Sequence, residues 1–598
     1  MRIGLAWTAA VLLAACASTP KPAPLTEAQV AKPAPTPALP AAEELPVLLV
    51  AGNLERDVFA VLERLEPGNP AIGFVRVGWR TLLSAQLGDG LAMALDARAP
   101  LVIGIGSGPA EQAPLVGVAA LLPDHRVAVE RGYELHDIGR GLAMMRPRLG
   151  MPESNPIGSR MHCALLARRG RDLIACSREP DWLPRYAEFI ADQLLTTRRD
   201  AALRLEMRGK LLQSPEQALS ADLSTQAARA GYLTTLELLA AMRDLEAELA
   251  LEPGGFELTM DFSLRPVSDS LAALLVAPSP GPALPPAFEQ LPADATMAFT
   301  SRGVHPDQMG EVADRFWTMM LASLSENSPD ARWAELVSVA RKVLMRGGPL
   351  VGAYGHDTAG ALATLTEERA RKRPSEARIR AALADYWVLG AEGDWARVQE
   401  AVGSLLDLEM RTQAERQAAG AAAGPKLTRE KLRRRDQLPR DAILLKFARP
   451  AVGSSLAQAR YLGLAAADGW VWLAVSSERA LAIERLRGLL LGERKATQEK
   501  LVLLRPPGVR EAVAFAFVTP AAVISMDLPR DGSAASIDRA QAQLQELADE
   551  PGAAAAPVTI SYGHGEGDKG YRRARLRAFV PDAMVLSMPG AEVPLPGP

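Results

Sequence analysis

Two stretches constrain the fold of this chain more than any other feature: CALLARRGRDLIACS, Cys163–Ser177, and LGLAAADGWVWLAVS, Leu462–Ser476. They lie 299 positions apart and align without a gap. Each holds an apolar run, a short turn and a second apolar run that ends on serine. A two-residue link between such runs needs positive φ at both central positions, which Asp-Gly supplies cheaply. Asp468-Gly469 fills that place in the second stretch, and Arg169-Gly170 stands opposite it in the first. The pattern predicts two antiparallel hairpins, each leading into an amphipathic helix. Trp182, Tyr186, Ile190 and Leu194 share one helical face after the first hairpin, and Ile483, Leu486 and Leu490 share one after the second.

The turn also fixes the register. With Arg169 and Gly170 as the loop, paired positions sum to 339, so Cys163 faces Cys176. The pair falls on a non-hydrogen-bonded position, where Cα atoms approach to about 4.5 Å, within disulfide range. Two readings stay open here: a disulfide between Cys163 and Cys176, or two buried thiols acting as small hydrophobes. The second hairpin has Leu462 and Val475 at these places. The spacing is not that of a Cys-x-x-Cys redox site.

Other segments echo between the halves. ELPVLLVAGNLERDVFAVLERL and LPADATMAFTSRGVHPDQMGEVADRF each read as a strand followed by a helix, and FELTMDFSL and ARLRAFVP as late strands. The expected fold class is α+β: two tandem related units with antiparallel sheets and flanking helices. Expected boundaries are 45–276 and 291–598, with a Pro-rich join at 277–290. A low-complexity insert near 411–437 reads as an exposed helix or loop. The competing explanation is chance recurrence of a short hairpin-helix pattern.

Behind Arg2 runs an apolar core from Ile3 to Ala15. It is too short to span a bilayer, which takes about 20 residues, and suits the apolar region of a signal peptide, expected over residues 1–15. Leu13-Ala14-Ala15-Cys16 resembles the lipobox of bacterial lipoprotein precursors. The resemblance covers about the first sixteen residues. It implies cleavage before Cys16, a thioether-linked diacylglycerol on that thiol, and acylation of the new amino group. Ala17 in place of Asp implies an outer-membrane destination, facing the periplasm or the cell surface. Prolines at 20, 22, 24, 33, 35, 37 and 40 make residues 16–44 an extended tether.

The rest of the sequence offers little chemistry. Net charge is −3 and aromatic content 5%, which gives no reason to expect a nucleic-acid partner. GIGSGP, Gly104–Pro109, lacks the full dinucleotide fingerprint and reads as a strand ending in a glycine turn. YGHGEGDKGY places His564, Glu566 and Asp568 at alternating positions, a spacing that could ligate a divalent metal. The glycines between them favour a solvated turn instead, and His356 in YGHDTAG reads the same way. Ser177 and Ser476 read as helix caps. No catalytic residue, metal ligand or cofactor is expected. The leading expectation is a non-enzymatic, lipid-anchored envelope protein that binds or scaffolds another envelope component. The alternatives are an envelope hydrolase or metal-dependent enzyme, and a carrier of an apolar ligand.

Overall fold

The structure is a computed structural model. It describes residues 44–65, 72–73, 76–81, 89–106, 113–123, 129–130, 132–139, 141–148, 162–196, 201–208, 237–238, 240–266, 271–277, 284–303, 348–418, 426–448, 460–492, 512–526, 528, 534–549, 551–552, 556–565 and 570–582. The fold is mixed α+β. Its described residues divide into two compact units, one within Met1–Leu211 and Leu245–Leu251, the other within Leu212–Asp244 and Glu252–Pro598.

The first unit contains β1 (Val47–Ala51), α1 (Phe59–Leu65), α2 (Asp89–Ala94), β2 (Leu101–Ile105), β3 (Leu115–Ala120), β4 (Tyr133–Gly139), β5 (Leu142–Pro147), β6 (His162–Arg168), β7 (Arg171–Ser177), α3 (Trp182–Thr196) and β8 (Leu203–Arg208). Part of β9 (Met242–Glu252) belongs to it as well. The strands pair antiparallel in the order β8-β1-β2-β3-β7-β6-β5-β4. Arg169 and Gly170 take φ of 48° and 74°, the paired positive values that close a two-residue turn. On one sheet face Val102, Val116, Ala164, Leu166, Leu173 and Ala175 meet Leu183, Tyr186, Ile190 and Leu194 of α3. On the other, Leu165 and Ile174 join Cys163, Cys176, Leu121 and Met145. Both faces of β6 and β7 are covered, which is why they read as near-continuous apolar runs rather than alternating ones.

Gly104 lies inside β2 for a packing reason. A Cβ there would sit 2.8 Å from Ile190 Cδ1 and 3.0 Å from Leu45 Cδ1, so a side chain would force the ends of those two side chains to shift.

The second unit contains β10 (Gly255–Leu264), α4 (Leu271–Leu275), β11 (Met297–Ser301), β12 (Leu350–His356), α5 (Thr358–Arg369), α6 (Glu376–Ala382), β13 (Asp385–Glu392), α7 (Trp395–Ala418), β14 (Lys426–Arg429), β15 (Ile443–Ala448), β16 (Arg460–Ala467), β17 (Trp470–Ser476), α8 (Arg479–Leu491), β18 (Ala514–Val518), α9 (Pro520–Met526), α10 (Ala534–Asp549), β19 (Val558–Gly565) and β20 (Arg572–Pro581). Its antiparallel order is β10-β20-β19-β18-β11-β12-β13-β17-β16-β15-β14.

Asp468 and Gly469 close the second hairpin with φ of 51° and 80°. Phe288, Val351, Val388, Trp472, Leu486, Leu489 and Phe515 form the core beneath α8. The buried face of α8 carries Leu489 at its centre, with Leu490 only partly covered, one position away from the face read in the sequence. On the opposite side, Val398 and Val402 of α7 pack on Ile443, Leu445, Leu464 and Val471. The expected insert therefore includes the end of a 24-residue helix and the strand β14. The expected join at 277–290 contains a short 3₁₀ turn, Pro286–Gln290, which buries Phe288 completely.

Candidate functional site

β10, β20 and β19 lie side by side in the second unit. Alternation along β10 puts Leu258, Met260 and Phe262 on one face and Glu257, Thr259 and Asp261 on the other. Directly opposite residues share a face, so the register decides what surrounds them. Leu258 faces Ala578, Met260 faces Leu576 and Phe262 faces Ala574. In the next ladder Ala578 faces Ile560, Leu576 faces Tyr562 and Ala574 faces His564. One face is thus apolar over several residues, and Leu258, Met260, Phe262, Leu576, Ala578 and Ile560 all remain part-exposed. On the reverse face Asp261 takes both arms of the Arg575 guanidinium, at 2.7 and 2.8 Å.

The apolar face changes character at one end, where Tyr562, His564 and Arg572 stand beside the last turn of α4. Helix ends leave carbonyls without intrahelical partners, and cationic donors suit that negative pole. Here the Tyr562 hydroxyl donates to the Leu275 carbonyl, and His564 Nε2 lies 2.8 Å from the same oxygen. Arg572 Nη1 donates to the Val276 carbonyl at 3.1 Å. A carbonyl only accepts, so Nε2 carries the His564 proton. The Tyr562 and His564 rings meet edge to face at 5.8 Å. Lost hydration lowers the proton affinity of His564, the bond to Leu275 opposes this, and the charges of Arg572 and Arg302 lower it further. Burial holds the Tyr562 hydroxyl well above the usual tyrosine range.

The structure joins Cys163 to Cys176 in a disulfide, with Cα atoms 4.1 Å apart, on the paired positions of β6 and β7. Both cysteines are buried. Cys16 lies outside the described residues, as do Glu566 and Asp568. Among the described residues no group of three His, Cys, Asp or Glu side chains is placed to hold a metal. No described helix is long and apolar enough to cross a membrane.

Ser476 does not cap α8. The N-cap is Glu478, and Ser476 instead donates to the Asp385 carbonyl at 2.7 Å and accepts from the Glu478 amide at 3.1 Å. Ser177 is fully buried and donates to the Glu179 carbonyl. His356 is not in a solvated turn. It is the buried last residue of β12, and Asp357 beside it caps α5 through the Gly360 amide at 2.9 Å.

Sequence reading missed one constellation in each unit. Before β1, Glu44 binds Arg185 and accepts the Tyr186 hydroxyl at 2.6 Å, both from α3. Before β11, Asp294 takes both arms of Arg485 of α8, at 2.8 and 2.6 Å, and the Tyr386 hydroxyl at 2.9 Å. Arg485 also lies over the Tyr386 ring at 4.1 Å. An acid three residues ahead of each strand was the available signal.

The sequence matches no protein family and no curated protein. Among solved structures, crystal forms IV and I of TP0453 show 6% and 7% identity. They match 37% of this chain and 76% and 75% of theirs, at a TM-score of 0.18, too low to carry an argument.

Proposed function

We propose that this chain is a lipid-anchored bacterial envelope protein, held at the outer membrane through Cys16, whose folded body binds another envelope component rather than catalysing a reaction. The part-exposed apolar face of β10, β20 and β19 is the observation that carries the binding reading, because large apolar faces left partly open mark sites of association. The same face favours the carrier of an apolar ligand over the hydrolase as second reading. The one described histidine of the HGEGD stretch has its Nε2 on a helix carbonyl, which lends the hydrolase no support.

The body is proposed to be a tandem duplication. Counted in chain order, the first unit's sheet runs eighth, first, second, third, seventh, sixth, fifth, fourth strand. In the second unit β11 to β18, eight of the eleven described strands of its sheet, run in the same order with β11 as the first. Each seventh strand leads into the helix that covers the sheet, and each first strand is preceded by an acid that binds an arginine of that helix. Independent convergence on eight places in order is harder to arrange than copying.

Two measurements test the proposal. Cys16→Ser should move the protein out of the membrane fraction and remove the lipid mass. Retention at the old mass would overturn the anchor. A photoreactive residue at Met260 in the full chain should crosslink in intact cells to one recurrent envelope component. Crosslinks no different from those of an exposed control position such as Glu400 would overturn the binding reading.

A further inference from the structure

Resting on the binding reading above, we infer that the face of β10, β20 and β19 holds a long acyl chain with an anionic head, the head lying at the Arg572–His564 end. Two features combine to select this chemistry. The first is length. Leu258 to Phe262 on β10, against Ala574 to Ala578 on β20, is a strip five residues long. At about 3.3 Å per residue this is roughly 16 Å, close to half of the roughly 30 Å hydrocarbon core of a bilayer, which is the length of one lipid tail.

The second feature is charge at one end only. Arg572 supplies it, on the same face as the apolar strip and opposite Leu264; His564, opposite Ala574 on that face, has its proton affinity lowered by burial and is not counted as a charge. Arg302 lies near enough to His564 for its charge to be felt there. A guanidinium has five N–H donors in a planar fork, and Arg572 uses Nη1 on the Val276 carbonyl. Its remaining donors match a carboxylate or phosphate. On the strip itself, Leu258, Met260, Phe262, Leu576 and Ala578 carry no charge to repel a tail. A protein partner would find no charged or hydrogen-bonding side chain along β10 and β20 here, and the Tyr562 hydroxyl on β19 is already given to the Leu275 carbonyl, so an acyl chain is the better fit.

The test uses the full chain in phosphatidylcholine nanodiscs and a diazirine-bearing palmitate. The expected labelling falls on peptides of β10 and β20. Unlabelled palmitate should compete, and hexadecanol, which lacks the charge, should compete about tenfold less well. Met260→Asp should abolish labelling while hydrogen exchange in β12 and β13 stays unchanged. Arg572→Gln should weaken labelling by about tenfold. Labelling spread over the chain, labelling indifferent to Met260→Asp, or equal competition by hexadecanol would overturn the inference. If it fails while Met260 still crosslinks one recurrent component in cells, the binding reading stands and the ligand is something else. If both fail, the face has no partner.

Discussion

The covalent link between Cys163 and Cys176 should act as a measurable clamp on one hairpin. The two residues are 13 positions apart on facing strands. A closed loop of about 15 residues is worth about 3 kcal/mol in the chain-entropy account of cross-links. Opening free energies translate to exchange rates tenfold per 1.4 kcal/mol. Reducing the bond should therefore speed exchange of the Leu166 and Leu173 amides, which bond across this hairpin, by about a hundredfold. Two variants separate the constraint from the packing. Cys163→Ala with Cys176→Ala removes both the link and two buried sulfurs that line the core with Leu165 and Ile174. Cys163→Leu with Cys176→Val removes the link but installs the pair that the second hairpin carries at Leu462 and Val475. Both should lose the cross-link contribution, and the alanine variant should lose about 1 kcal/mol more through the space left behind. Mass analysis should show a two-hydrogen gain on reduction. Exchange that rises less than threefold on reduction, or no mass gain, would refute the reasoning.

Three further outcomes follow from the packing and ion pairs. Asp294→Ala leaves the buried Arg485 without its carboxylate; because Asp294 is itself half-exposed, the loss should be about 2 kcal/mol, read as a lower urea midpoint. Gly390→Val places a Cβ 2.4 Å from the Trp472 ring, so it should cost about 1–3 kcal/mol and alter the tryptophan emission. Arg479 holds the Asp436 carboxyl below its ordinary 3.8. Stability from that pair is then complete above pH 3.8 and disappears as pH falls through the lower folded value. Asp436→Asn should flatten the stability slope in that acid window, and an unchanged slope would count against the pair.

Local chemistry made part of this fold readable. The hairpins were accessible because positive-φ turn residues set the register, and the register placed Cys163 opposite Cys176. Helix faces could be read to within a position, as Leu489 against Leu490 illustrates. What sequence withheld was distance. Nothing near Asp261 announces Arg575, and nothing near His564 announces the carbonyl of Leu275, because those partners come from remote segments. His356 looked like part of a glycine turn because its flanking residues are small. Burial of a histidine at a strand end depends on neighbouring strands that local spacing does not encode. The apolar face was legible as alternation in FELTMDFSL, but its charged end needed the pairing of β19, β20 and α4.

The partnership of β10 with β20 has a cost in time. Asp261 and Arg575 are 314 positions apart, so at about 5–20 residues per second a ribosome needs on the order of tens of seconds to deliver the second after the first. Until then the backbone donors and acceptors of β10 on that side have no mate, and its apolar residues lack their cover from β20. An unfinished copy of this chain is thus a sticky one. A truncation that stops short of Arg572 should yield not a smaller protein but an aggregating one.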